Sequence, residues 1–316
     1  MKMILGTMTF GQQVFDEEAL EMTKYFMKQG YKELDTAYVY NNGDSERIVG
    51  KVISKEVMKD CFIATKVNPR ITGKLDYEAV MSQFEISLER MGLDAIDLLY
   101  LHFPDANTPV EESLKACEEL YRKGKIKEFG ISNFSAEMVQ EICDKCKSLG
   151  YITPTVYQGV YNALSRKSEN LFEVLRRNDM RFYAYNPLAG GVLTGRYSNF
   201  EEKPVDGRFA FRPNYQNRYW KKTYFEAVEI IRKACDEAGI KMAAAAIRWL
   251  AFHSKMDKSK EDGIIVGVSK LQQLKDNMSA INEGTLPKSV LEALEHSWNI
   301  CKEDAPEYYR YSNLSK

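Results

Sequence analysis

Ile96-Asp97-Leu98-Leu99-Tyr100-Leu101 has the apolar density of a strand buried on both faces, and the residues on either side of it decide the fold. Thr108-Pro109-Val110-Glu111 reads as a capping box with proline in the first helical position, opening a helix that Gly124 ends. Phe129-Gly130-Ile131 is then the next strand. The same grammar runs outward in both directions. Upstream, Met3 to Gly6 is strand-like, and Asp16-Glu17-Glu18 starts a helix with Ala19, Met22 and Phe26 on one stripe, stopped by Gly30. Glu33-Leu34-Asp35 is a short strand before a helix from Ser45 to about Ile53. Cys61 to Val67 is a strand before a helix opened by Asp76, with Val80, Phe84 and Leu88 inward and Gly92 at its end. Downstream, Ser135 opens a helix whose Val139, Ile142 and Cys146 face one way until Gly150. Thr155 to Gln158, Arg181 to Tyr185 and Ile264 to Val268 supply three more strands.

Strands alternating with helices predict parallel βα units, and about eight of them without a linker predict an α/β protein built as one closed (β/α)8 TIM barrel, a single domain over residues 1–316. The rival is an open doubly wound sheet, but no G-x-G-x-x-G follows any strand. One connection is much longer than the rest, between the seventh and eighth strands. Its first part, Asn199 to Tyr219, is polar and arginine-rich, and Phe209, Phe211, Tyr215, Tyr219 and Trp220 favour an active-site lid.

Hydrophobic residues at 44% and charged residues at 28% suit a globular chain with a sizeable core. Lys+Arg 44 against Asp+Glu 45 leaves a net charge of -1, so nucleic acid and anionic membrane surfaces are not expected partners. Six cysteines are too sparse for a stapled secreted scaffold. The apolar start is too short for a signal peptide and no run reaches membrane-span length, so a cytoplasmic protein is expected.

Barrel catalysts work at the C-terminal ends of the strands, and here those ends are polar. Asp35 closes the second strand, Lys66 the third, His102 the fourth, Ser132 and Asn133 the fifth, Gln158 the sixth, Tyr185 and Asn186 the seventh, and Ser269 the last. Each alone reads more simply as a cap or turn former; their convergence on one rim favours a site. Lys66 after Phe62-Ile63-Ala64-Thr65 needs a carboxylate, for which Asp35 is the natural partner. Tyr40 lies just beyond Asp35, where a neighbouring cation is expected to lower its pKa and make it a usable acid. His102 is placed to orient a carbonyl oxygen, whereas His253 and His296 lie in helical sequence without ligand spacing, so no metal is expected. An acid beside a carbonyl, with no activated nucleophile, fits hydride reduction of a small-molecule aldehyde or ketone. Asn133 and Gln158 suit a carboxamide, Tyr185 can stack on a flat ring, and Gly190-Gly191 and the helix starting near Lys270 suit phosphates.

These residues resemble the aldo-keto reductases, through Leu34-Asp35-Thr36-Ala37-x-x-Tyr40, Thr65-Lys66, Leu101-His102 and Gly130-Ile131-Ser132-Asn133. Pro154-Thr155-Val156-Tyr157-Gln158-Gly159-x-Tyr161-Asn162-Ala163, the run Arg181 to Gly191, Asn217 to Lys221 and Pro306-x-Tyr308-Tyr309-Arg310 resemble the aflatoxin aldehyde (succinic semialdehyde) reductase branch. The resemblance implies NADPH-dependent reduction of aldehydes, including dicarbonyls and carboxylate-bearing ones such as succinic semialdehyde, by a chain that forms homodimers. It implies Tyr40 as acid, Asp35 and Lys66 as its tuning pair, and His102 as carbonyl orienter. It further implies that NADPH is held by Asp35, Ser132, Asn133, Gln158, Tyr185, Asn186, Pro187, Leu188, Gly190, Gly191, Arg196, Arg208, Gly267, Ser269, Lys270, Gln273 and Asn277; among these Arg208, Ser269 and Lys270 can pair a 2'-phosphate, so NADPH is expected over NADH. His102, Tyr215, Arg218 and Arg310 would meet the substrate. A regulatory subunit that binds NADPH with little turnover is the alternative; a cofactor-free isomerase or hydrolase is a weaker third.

Overall fold

Short, β-branched and aliphatic runs separated by amphipathic helices can bury both faces of each strand only if the sheet is covered all round. The computed structural model, which describes residues 1–54, 60–202, 204–205 and 207–310 (without the side chains of residues 211 and 213), shows how this is met. Eight parallel strands, β1 Lys2–Gly6, β2 Glu33–Asp35, β3 Phe62–Val67, β4 Ile96–Leu101, β5 Ile126–Ser132, β6 Val156–Val160, β7 Arg181–Tyr185 and β8 Gly263–Val266, pair in chain order. The register Lys2↔Gly263 to Leu5↔Val266 joins β1 to β8 and closes the barrel. The chain is therefore a (β/α)8 barrel, as its sequence pattern predicts.

The helices α1 Asp16–Lys28, α2 Asp44–Ile53, α3 Tyr77–Met91, α4 Val110–Arg122, α5 Ala136–Leu149 and α6 Leu171–Arg177 follow the first six strands in turn. Asp76 and Ser135 cap α3 and α5 by accepting from Ala79 N and Met138 N. The capping box expected at Thr108 does not form. Helix α4 begins at Val110 with Pro109 as its cap and no side-chain cap bond, since the proline carbonyl already takes Glu112 N at 3.1 Å and leaves Thr108 outside the turn.

Two apolar shells result. Ile4, Ala64, Leu98, Tyr100, Val156, Tyr183 and Ile265 fill the barrel, while Leu34, Leu99, Ile131 and Phe182 belong to the larger cluster formed with the helices. After β7, the long connection holds α7 Gly207–Phe211, α8 Pro213–Tyr219, α9 Lys222–Glu237 and α10 Met242–Phe252, before α11 Leu271–Ala280 and α12 Lys288–Cys301. Its lid segment is anchored by aromatics: Phe209 and Tyr219 are buried, and Trp220 packs edge-on against Phe209 at 5.1 Å and Tyr197 at 5.3 Å. The expected contribution of the Phe211 side chain lies outside the described residues, as do residues 311–316. All six cysteines are free, five of them buried. Among the described residues no helix is long and apolar enough to cross a membrane.

Candidate active site

Lys66 shows what holds the strand ends together, because a fully buried ammonium must find acceptors. Its Nζ donates to Asp35 Oδ1 and to the Thr36 carbonyl, both at 2.6 Å. The other carboxylate oxygen of Asp35 accepts from Gln158 Nε2 at 2.8 Å. Burial still lowers the Lys66 pKa from its ordinary value, with Asp35 opposing.

Tyr40 stands over this pair, with Lys66 Nζ 5.2 Å from its ring centroid. The geometry corrects the expectation that a neighbouring cation brings the phenol's pKa below its ordinary value. Burial, followed by the Asp35 charge, raises it well above the ordinary tyrosine value, while Lys66 directs two of its protons to Asp35 and Thr36. Tyr40 therefore keeps its proton firmly and is a donor. The loop that carries it turns through Asn41 (φ 50) and Asn42 (φ 56) into Gly43 (φ 89), where a Cβ would lie 2.5 Å from the Arg90 guanidinium carbon. Only glycine fits there. Arg90 is held in turn by buried Glu46 at 2.8 Å and by the Tyr38 carbonyl at 2.9 Å, which fixes the loop from below.

His102 lies edge-on to Tyr40, ring centroids 6.0 Å apart, and stacks on Phe103 at 4.7 Å. Its Nδ1 is 3.1 Å from Asn68 Nδ2. Asn68 Oδ1 accepts from Arg70 N at 3.0 Å, which sets the amide's orientation and makes Nδ2 the donor. Nδ1 must accept, so the imidazole proton is on Nε2. Burial first, then the charges of Lys66, Arg310 and Arg70, hold the histidine pKa well below its ordinary value, so the ring is neutral.

A cavity of about 1160 Å³ opens over these groups. Every residue expected in the site lines it except Lys66, which lies beneath its floor, and Lys270, which is exposed at the N-cap of α11. Asn133 (φ 66) donates to the His102 carbonyl and to Ser132, both at 2.9 Å, and accepts from Tyr185 Oη at 2.7 Å. Asn186 (φ 56) accepts from Tyr215 Oη at 3.3 Å and Arg208 at 3.5 Å. The wall fits a dinucleotide. Gly190 (φ 70) and Gly191 (φ 113) present bare backbone, and a Cβ on Gly190 would meet the Tyr215 ring at 2.9 Å. At the other side the start of α11 offers its first-turn N–H groups beside Ser269 and Gln273, which are themselves bonded at 3.1 Å. Among the described residues no His, Cys, Asp and Glu are grouped to hold a metal.

At the third side stand Arg218 and Arg310. The Arg310 N–H donates to the Asn133 carbonyl at 3.1 Å, which seats the C-terminal segment on the end of β5. Sequence reasoning missed Asn68, Arg70 and Phe103, which also line the cavity. Asn68 carried a signal, as the polar residue that ends the apolar run of β3.

Residues 2–299 match the model of the aldo/keto reductase family, so the chain belongs to that family and is an oxidoreductase. It is 43% identical to aflatoxin B1 aldehyde reductase member 2 of Mus musculus, over 97% of this chain and 87% of the relative. It is 43% identical to the Homo sapiens protein of the same name, over 97% and 89%, and 42% identical to human aflatoxin B1 aldehyde reductase member 4, over 97% and 96%.

Proposed function

We propose that this enzyme uses NADPH to reduce aldehydes to alcohols, including dicarbonyls and carboxylate-bearing aldehydes such as succinic semialdehyde. One observation carries the reading: Tyr40 holds its proton between the buried Lys66–Asp35 pair and a neutral His102, at the end of a cavity large enough for cofactor and substrate together. The names of the aldehyde reductase relatives point the same way.

When bound, NADPH would supply the hydride for the carbonyl carbon, and the chain's own residues would bind, orient and protonate the substrate. Tyr40 donates its phenolic proton to the carbonyl oxygen as that oxygen gains negative charge, the moment at which a firmly held proton becomes transferable. His102 donates from Nε2 to the same oxygen and fixes its direction. The Lys66 ammonium stabilises the phenolate that Tyr40 leaves behind, and Asp35 with Gln158 keeps that ammonium in place. Gly190, Gly191 and Arg208 would hold the cofactor's phosphates, and Ser269, Lys270 and the start of α11 its 2'-phosphate. Arg208 bonds Asn186 at 3.5 Å and reaches towards Gly267, its Nη2 4.0 Å from where a Cβ of that glycine would lie, so it stands between the two phosphate positions, and we assign it to the pyrophosphate. Arg218 and Arg310 clamp the substrate carboxylate.

An aldehyde panel assayed with NADPH and with NADH tests the reading. Aldehyde-dependent loss of reduced cofactor is the expected result; tight NADPH binding with no turnover on any aldehyde would favour the regulatory-subunit alternative.

A further inference from the structure

The pairing of β3 with β4 runs out where His102 N donates to the Val67 carbonyl at 3.0 Å, so the next peptide groups, those of buried Asn68, need partners from another element. Gln83 on α3 supplies both. Its Oε1 accepts from Asn68 N at 2.8 Å and its Nε2 donates to the Asn68 carbonyl at 3.1 Å. One buried side-chain amide thus stands in for a neighbouring strand and fixes the backbone from which the Asn68 side chain projects. That side chain is held at both of its own ends. Oδ1 accepts from Arg70 N at 3.0 Å, and Nδ2 lies 3.1 Å from His102 Nδ1. Turning the amide over would set one N–H against another at Arg70, so the donor stays on the imidazole.

A neutral imidazole carries one proton, and the bond made by one ring nitrogen decides that the other holds it. Asn68 donates to Nδ1, which leaves the proton on Nε2, at the opposite side of the ring. Stacking on Phe103 at 4.7 Å and the edge contact with Tyr40 at 6.0 Å hold the ring plane. Burial first, then the charges of Lys66 on β3, Arg310 in the C-terminal stretch and Arg70 in the loop after β3, resist a second proton. A single proton must therefore be directed, and Asn68 is the group that directs it. The other tautomer would aim a lone pair at a carbonyl oxygen gaining negative charge, and losing one such donor costs about 100-fold in rate.

We infer that Asn68, held in place by Gln83, is a positioning residue that fixes the one proton of His102 on Nε2 and so makes this ring a hydrogen-bond donor to the substrate carbonyl. The inference rests on the reductase reading above and adds the residue that sets the donor in that site.

Asn68→Asp keeps the side chain's shape and its acceptor for Arg70 N, but puts an acceptor where the donor to Nδ1 stood. The neutral ring should then carry its proton on Nδ1, and the new carboxylate should raise the pH at which the ring takes a second one. With NADPH and butanal, kcat of Asn68→Asp should fall about 100-fold at the alkaline end. It should recover as pH drops through the new titration, because the imidazolium again has a proton on Nε2; the wild type should show no such recovery. In a His102→Gln background the same substitution should change kcat by less than about threefold. Nitrogen NMR of the histidine-labelled chain reads the tautomer directly, since the sequence has only three histidines. His253 is the internal reference: its Nε2 accepts from Leu286 N at 2.9 Å, so its proton is on Nδ1. The signal lost in His102→Gln should report a proton on Nε2 in the wild type and on Nδ1 in Asn68→Asp at alkaline pH. A wild-type His102 with its proton on Nδ1, or an Asn68→Asp loss that is equal at every pH or persists in the His102→Gln background, overturns the inference and leaves the reductase reading intact. No turnover of any aldehyde by the wild-type enzyme overturns the reductase reading, whichever nitrogen holds the proton.

Discussion

The guanidinium of Arg212, on the lid, donates to Oδ1 of Asn41, the residue after Tyr40, at 2.6 Å. The amide nitrogen of Asn41 donates in turn to the carbonyls of Met8 at 2.9 Å and Phe10 at 2.6 Å. One amide therefore joins the lid, the loop that bears Tyr40 and the loop after β1. Arg212→Ala should speed NADPH release by about fivefold, the worth of one such bond, with little change in the single-turnover rate. Stopped-flow cofactor displacement measures it, and an unchanged off-rate would show that the lid is held by its aromatic anchors alone.

Tyr40→Phe should leave NADPH affinity nearly unchanged and lower kcat by about 100-fold or more, because the phenolic proton is needed only as charge develops on the oxygen. Lys66→Met should act likewise. Retention of most of the turnover on a slow aldehyde whose chemistry limits the rate would remove Tyr40 from the acid role.

The two ends of the cofactor can be told apart by substitution. Lys270→Met should raise the Kd for NADPH by about tenfold and that for NADH little, as loss of one charge-assisted phosphate contact requires. Arg208→Ala, beside Asn186 and the Tyr215 ring, should weaken both cofactors alike. Binding titrations followed by tyrosine and tryptophan fluorescence decide; a loss confined to NADPH in Arg208→Ala would move that arginine to the 2'-phosphate.

Arg218→Ala should raise KM for succinic semialdehyde by about tenfold or more and leave a neutral aldehyde of similar length far less affected. Equal increases for both would mean that the substitution disorders α8 rather than removing a clamp.

His102 also sets a pH dependence of stability. Its folded-state pKa lies well below that of the unfolded chain, chiefly through burial, so near neutral pH its contribution is complete. As pH falls below the unfolded value, about 6.5, the unfolded state takes up a proton that the folded state refuses, and stability is lost at up to about 1.4 kcal/mol per pH unit. His102→Gln should flatten the denaturation midpoint between pH 6.5 and the folded-state pKa. An identical pH slope in both proteins would mean that the imidazole is not held neutral.

Asp35, Lys66, His102, Asn133 and Asn186 were legible in the sequence because a polar residue ending an apolar run has few explanations in a barrel. The lid was legible through its aromatics. Arg70 was not, since a loop arginine has no period to betray it, and its place beside Phe103 and Arg310 depends on contacts from the loop after β4 and the far C-terminal stretch. The direction of the Tyr40 shift was equally hidden: residue types show that a cation is near, but only geometry shows that its protons go to Asp35 and Thr36. The helix after β4 was placed one residue early for a similar reason, since a proline carbonyl can cap without the threonine before it.

The sulfur chemistry of the chain bears on how long such an enzyme survives its own reactants. Burial pushes the thiols of Cys61, Cys143 and Cys235 up to about 11 and those of Cys146 and Cys301 up to about 12, and raises Cys117 further. Only the thiolate attacks an electrophile, and a thiol titrating near 11 is ionised in about one molecule in ten thousand at neutral pH. Reactive carbonyls that would alkylate an ordinary cysteine therefore find almost no competent sulfur here. If the enzyme consumes reactive carbonyls as proposed, the burial of five of its six thiols would shield it from them, without any group at the barrel mouth being committed to that task.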